Sequence, residues 1–166
     1  PIPINFIDWE GGRYKGTYMS PYRLMWEVPY QPGTLKVVAY NDGKVVSQKS
    51  INTASKPAKI ELIPDRSELS ADGEDISFIT VRIVDEYGNV CPTADNLVEF
   101  SISGAGSIAA VGNGDPATTA PFQTNQRKAF NGLCMLMVKS TEKEGSIAIK
   151  AKSEGLEMES ITLTTQ

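Results

Sequence analysis

ISFITVRIVDEYGNVCPTADNLVEFSIS, residues 76–103, is the stretch that decides the fold. Ile79, Val81 and Ile83 alternate with Thr80 and Arg82; further on, Val98, Phe100 and Ile102 alternate with Glu99 and Ser101. A period of two gives each run one face to bury and one to wet, which is the pattern of a β-strand. Between the runs, Glu86-Tyr87-Gly88-Asn89 and Pro92 supply turn chemistry. The stretch reads strand, polar turn, strand: half of a β-sandwich.

The same alternation extends in both directions. Upstream, Ile60 and Leu62 mark a strand closed by Pro64-Asp65, and residues 70–75 form a polar turn. Downstream come a short apolar piece at 108–111, an aperiodic Gly-, Pro- and Thr-rich loop at 112–126, and a run at 133–138 that is apolar on both faces. A run of that kind suits a central or doubly covered strand. Ile147, Ile149 and Ala151 alternate with Ala148 and Lys150, and Ile161 and Leu163 form a last strand. About seven strands over residues 57–166, punctuated by turns, predict an immunoglobulin-like β-sandwich. No segment holds a 3.6-residue period, so essentially no helix is expected.

Before residue 56 the chain is thinner. Leu24, Trp26 and Val28 share one face of a strand predicted over 23–30, ended by Pro29 and Pro32-Gly33. Leu35, Val37 and Ala39 alternate, Asn41-Asp42-Gly43 is a hairpin signal, and 44–51 returns as a polar strand. Three strands are near the lower limit for independent stability. The chain is thus all-β: an immunoglobulin-like sandwich at 56–166, preceded at 1–55 by a smaller sandwich unit that reads as incomplete. A sequence that opens at Pro1 reads as a fragment or a processed product.

Composition narrows function by exclusion. The chain has no histidine, which removes Ser-His-Asp and Cys-His nucleophile systems and the commonest zinc ligand. Net charge is −4 with no basic block, so there is no electrostatic footprint for nucleic acid. No apolar run approaches the roughly 20 residues of a membrane-spanning helix. Cys91 and Cys134 either pair across the sandwich or, more plainly, remain buried free thiols.

Glycosidase chemistry needs two carboxylates facing each other roughly 5–10 Å apart. The acidic residues here fall in turns or on wet faces, and a solvated role is expected of Asp72, Glu74, Asp75, Asp85, Glu86, Glu142 and Glu144. Asp72, Glu74 and Asp75, or Asn113-Gly114-Asp115, could offer oxygen to calcium, but neither matches the twelve-residue calcium loop, and a plain turn is the simpler reading. The same Gly-Asn-Gly-Asp segment lacks the Lys-Ser/Thr and the helix of a phosphate loop. Arg127 either pairs with Asp115 to tie the loop down or is solvated. No catalytic residue, metal ligand or cofactor is assigned. The candidate carbohydrate or interface contacts are Tyr22, Trp26 and Tyr30, together with Asn113, Asp115 and Arg127. Aromatic platforms can stack on the apolar faces of sugars, although core and interface roles are commoner.

Two sets of residues carry a family resemblance. Tyr22-Arg23-Leu24-Met25-Trp26-Glu27-Val28-Pro29-Tyr30, followed by Pro32 to Tyr40, resembles the late β-sandwich domain of bacterial glycoside hydrolase family 2 enzymes of the β-galactosidase type. The second unit resembles the C-terminal immunoglobulin-like domain of the same enzymes. Its marks are Leu69 to Asp75, Val84 to Ala94, Gly112-Asn113-Gly114-Asp115-Pro116, and Arg127-Lys128-Ala129-Phe130-Asn131-Gly132. The resemblance implies a non-catalytic accessory region. The family's catalytic glutamates sit on a (β/α)₈ barrel, and no βα alternation exists here. Implied partners are that barrel and neighbouring domains of the same parent, with glycans and a homo-oligomer through the parent as further candidates, and neither nucleic acid nor membrane. Implied localisation is periplasmic or extracellular. A carbohydrate-binding module and an adhesin-like sandwich are the competing readings.

Overall fold

The computed structural model describes residues 28–166 in full and, before them, the backbone of four short strands. The chain divides into two compact units, Pro1–Thr53 and Ala54–Gln166.

In the first unit, β1 (Ile7–Trp9) pairs antiparallel with β2 (Gly12–Tyr14), and β3 (Tyr18–Ser20) with β4 (Arg23–Met25). The strand expected over 23–30 is shorter: Val28 to Gln31 lie outside any strand. Pro29 has no N–H to give to a ladder, and Pro32-Gly33 turns the chain. β5 (Thr34–Asn41) and β6 (Lys44–Asn52) then form a long hairpin. Its two-residue loop is Asp42-Gly43, both at positive φ (47° and 74°), the backbone such a tight turn requires.

The second unit is a two-sheet sandwich. One sheet has four strands in the order β11-β13-β9-β7: Gly106–Gly112, Leu133–Ser140, Ile76–Val84 and Lys59–Pro64. The other has five in the order β12-β10-β14-β15-β8: Gln126–Lys128, Leu97–Gly104, Gly145–Lys152, Glu159–Thr165 and Glu68–Leu69. The pairings between these strands are antiparallel except β15–β8, which is parallel. There is no helix among the described residues.

The two strands of the opening stretch do not pair with each other. β9 sits inside the four-stranded sheet and β10 inside the five-stranded one, so the link between them arches from one sheet to the other. This puts Ile79, Val81 and Ile83 of β9 into the same core as Val98 and Phe100 of β10. Ile147, Ile149, Leu163, Leu136 and Val138 complete it, each without exposed surface. Burying each such side chain is worth roughly 1.5–3 kcal/mol.

Two glycines hold close approaches that no other residue could. Gly104 (φ +99°) leaves a Cβ only 2.0 Å from the Ser146 carbonyl oxygen, and Gly132 (φ +77°) one 2.3 Å from that of Cys91. Gly132 is also the second residue of an Asn131-Gly132 hairpin turn, with Asn131 at φ 52°. Phe130 and Leu133 face each other across that turn.

Candidate functional site

The aperiodic loop expected at 112–126 runs here from β11 to β12. Its first part is an Asx turn: the Asn113 side-chain oxygen accepts the Asp115 N–H at 3.2 Å, and its amide donates to the Lys128 carbonyl at 2.9 Å. Asp115 then accepts the Ala117 N–H at 2.9 Å. Both side chains are occupied in shaping their own loop.

Arg127 does tie its loop down, but through partners other than the expected one. It does not pair with Asp115, and it is not solvated, being 2% exposed. Its Nη2 donates to the carbonyls of Val111 (3.0 Å) and Pro121 (2.6 Å), and Nη1 to that of Ala120 (3.4 Å). The guanidinium lies 5.3 Å from the Phe122 ring centroid, a cation–π distance. Loop and sandwich are tied together by a buried cation gathering carbonyls, so Arg127 offers no surface to a sugar. Its planar fork of donors suits that task, which lysine would perform poorly. Phe122, which no sequence motif singles out, is 61% exposed. Its signal is a single aromatic in a loop otherwise composed of Gly, Pro, Thr, Ala, Asn, Gln and one Asp.

Tyr30 is 78% exposed and stays available for contact. Tyr22 and Trp26 lie outside the described residues, as does Glu27. Of the sequence-predicted contacts in the second unit, Asn113 and Asp115 shape the 112–126 loop and Arg127 is buried beneath it.

The acidic residues divide. At 70–75, Asp72 Oδ1 accepts the N–H groups of Glu74 and Asp75, both at 2.8 Å. Asp75 accepts the Ser70 N–H at 2.8 Å and forms an ion pair with Arg66 at 2.8 Å. The N–H bonds to Glu74 and Asp75 hold the Asp72 carboxyl below its ordinary value. Asp72, Glu74, Glu86, Glu142 and Glu144 are exposed, as expected of solvated residues.

Asp85 corrects the expectation of a solvated role, because its exposure is zero. Oδ1 accepts the N–H of Tyr87 (3.0 Å) and Asn89 (2.8 Å). Oδ2 accepts the Asn89 side-chain amide (3.1 Å) and the Ser55 N–H (2.9 Å). Burial pushes this carboxyl up. The bonds from Ser55, from the side chain and backbone of Asn89, and from Tyr87 outweigh burial and bring it down to about 2. The spacing Asp85-x-x-Gly88-Asn89 was the available signal, since an Asp side chain commonly caps N–H groups two to four residues ahead. Gly88 (φ +84°) makes the bend.

Cys91 and Cys134 are free and buried. Burial, and then the Asp85 charge, pushes the Cys91 thiol up; burial pushes Cys134 up to about 12 against the opposing pull of Arg127. Neither is a nucleophile in this setting.

The outward face of the four-stranded sheet is unusually apolar. Phe78 stands opposite Met137, and Thr80 between Met135 and Ile63. Leu133 stands opposite Arg82, which pairs with Glu61 at 3.2 Å. Phe78, Ile63 and Leu133 are 42%, 41% and 41% exposed. The run apolar on both faces thus belongs to an inner strand whose outer side chains are only half covered.

Residues 60–162 match the family described as glycoside hydrolase family 2 C-terminal domain 5, and residues 8–47 match a domain of unknown function, DUF4982. The chain is 46% identical to the β-galactosidase BoGH2A of Bacteroides ovatus, over 91% of this chain and 18% of that protein. It is 34% identical to a β-galactosidase of Thermoanaerobacter pseudethanolicus, over 81% of this chain and 16% of that one. A crystal structure of a family 2 member from Bacteroides cellulosilyticus superposes with a TM-score of 0.84 at 38% identity, covering 97% of this chain and 21% of that one. The chain spans about a fifth of the length of each of these three relatives. With its domain match running from the first core strand of the sandwich into the last, this chain belongs to glycoside hydrolase family 2, as a C-terminal region carrying that family's C-terminal domain 5.

Proposed function

We propose that this chain is a non-catalytic, architectural region of a longer hydrolase of the β-galactosidase type, and that its second unit packs against other parts of that enzyme. The observation carrying this reading is the outward face of the four-stranded sheet. An antiparallel sheet with one wet face ordinarily alternates apolar and polar side chains. Here Phe78, Met137, Met135, Ile63 and Leu133 occupy the wet side. An apolar band of this kind marks a surface meant to be covered. The carboxylates of the second unit's turns support the reading too, since Asp72, Asp75 and Asp85 are engaged in capping N–H groups of their own fold.

The test is made in the parent enzyme. Removing residues 54–166, or placing Met137→Glu on the outward face, should lower its melting temperature or change its assembly. Unchanged melting, oligomeric state and β-galactosidase activity in both variants would overturn the proposal. Assembly of the parent into a homo-oligomer and its periplasmic or extracellular placement belong to the same proposal and rest on the resemblance; size-exclusion chromatography and cell fractionation of the parent test them.

A second reading, contact with glycans, is favoured by the exposed rings of Phe122 and Tyr30. Calorimetric titration with galactosides and plant glycans tests it. Heat that Phe122→Ala abolishes would support it, and no heat on any glycan would count against it.

A further inference from the structure

The segment joining the two units looks featureless in sequence: Thr53-Ala54-Ser55-Lys56-Pro57, small, polar and exposed at Ser55. Its backbone is not featureless. The Ser55 N–H donates to Asp85 Oδ2 at 2.9 Å, and the Ser55 carbonyl accepts from Cys91 Sγ at 3.4 Å. Ala54 beside it packs on the core. A single exposed residue is therefore held at both of its peptide groups by two side chains of the β9–β10 arch, thirty or more positions away in sequence.

The arch itself is well fixed. The Cys91 N–H donates to the Ile83 carbonyl and the Ile83 N–H to that of Gly132, at 2.9 and 2.8 Å, which ties the arch to β9 and to the Asn131-Gly132 turn. The Asp85 N–H donates to the Asn89 carbonyl at 2.9 Å, closing the turn. A rigid turn holding a buried carboxylate still needs donors for every lone pair it withdraws from water. Three come from Tyr87 and Asn89, and the fourth comes from Ser55.

We propose that the Asp85 turn is a clasp for the linker: with Cys91 it fixes the backbone of Ser55, so that the ordered structure of the second unit begins there, ahead of β7. The clasp grips peptide groups, not a side chain. Its demand on position 55 is an N–H, which every residue but proline supplies. The linker's sequence is thereby free to look like any linker, while its path into the sandwich is set by Asp85.

The experiment is amide hydrogen exchange on the whole chain, followed by NMR, with two variants. In the wild type the Ser55 amide should exchange about a hundredfold more slowly than that of exposed Thr119 in the long loop, as a bonded amide does. Asp85→Asn should raise the Ser55 rate about tenfold or more, while Ile79 and Val81 in the core stay protected. Ser55→Pro deletes the donor and leaves the turn's own bonds in place; it should raise the titration midpoint of Asp85. A wild-type Ser55 amide as fast as Thr119 would overturn the proposal even if Asp85→Asn does not fold. An Asp85 midpoint unmoved by Ser55→Pro would overturn it equally.

Discussion

β9 is bracketed by two turns of similar composition, residues 70–75 before it and 85–89 after it. Both contain Asp, Glu and a glycine at positive φ, and in both an aspartate caps N–H groups just ahead of it. Yet Asp72 is exposed, and Asp85 has no exposed surface. The difference does not come from the turns. Ser55, brought from the linker, closes over the second turn, and Gly132 lets the Asn131-Gly132 hairpin lie against Cys91 beyond it. A local sequence specifies the cap; distant chain decides whether the cap is wet or dry, and with it how much the fold depends on the carboxylate.

The largest effect should come from two glycines, Gly132 packed against the second turn and Gly73 within the first. At Gly132 an added Cβ would meet the Cys91 carbonyl, which is backbone and cannot move aside. Gly132→Ala should cost about 3 kcal/mol or more by chemical denaturation, combining a steric clash with a disfavoured φ. At Gly73 the Cβ would be 3.3 Å from the flexible Glu142 Cγ, so Gly73→Ala should cost about 1–2 kcal/mol, mostly the φ penalty. Equal costs would break the distinction between the turns.

Next come the carboxylates themselves. Asp85→Asn should lower the melting temperature clearly, because it faces several donors with a group that is half donor itself. Asp72→Asn, in water, should lower it much less. Scanning calorimetry of the pair decides whether burial matters as claimed.

A smaller effect is expected from acid. The Asp85 carboxyl lies at about 2 in the folded chain, below the roughly 3.9 of an unfolded aspartate. A depressed folded value adds stability that is complete above the unfolded value and is lost as pH falls from about 4 toward 2. Asp65, Asp72 and Asp95 are also lowered and act in the same direction. Denaturation midpoints should therefore fall over this window, and the Asp85→Asn curve should fall less steeply. Parallel curves would remove Asp85 from the acid response.

The smallest effect concerns the thiols. A thiol reagent near pH 8 should modify neither Cys91 nor Cys134 in the folded chain and both after unfolding, since burial disfavours each thiolate. Reaction of Cys91 at the rate of an exposed thiol would mean that the arch opens readily.

These contrasts also mark what the residues could disclose in advance. Alternation in 76–103 announces β9 and β10, because period two is a property of each strand alone. It does not announce that the strands belong to different sheets, since that depends on the path of residues 85–96 between them. The Asp42-Gly43 turn is legible because positive φ at two consecutive positions admits few residue types; Asn131-Gly132 has the same chemistry but entered only as part of a family motif. Arg127 was legible as a tether for its loop but not in its partners, as main-chain carbonyls carry no sequence signature. Ser55 left no trace for the same reason. The doubly apolar run at 133–138 suits a central or doubly covered strand; β13 is an inner strand of its sheet, and Met135 and Met137 on its outer face are half exposed.

The most direct measurement is the titration of the Asp85 carboxyl by carbon-detected NMR, with Asp72 read in the same spectra. A dry, fully bonded carboxylate should titrate at about 2. A midpoint near 4, the ordinary aspartate range, would mean that the Asp85 turn is as wet as its partner and that the clasp does not form.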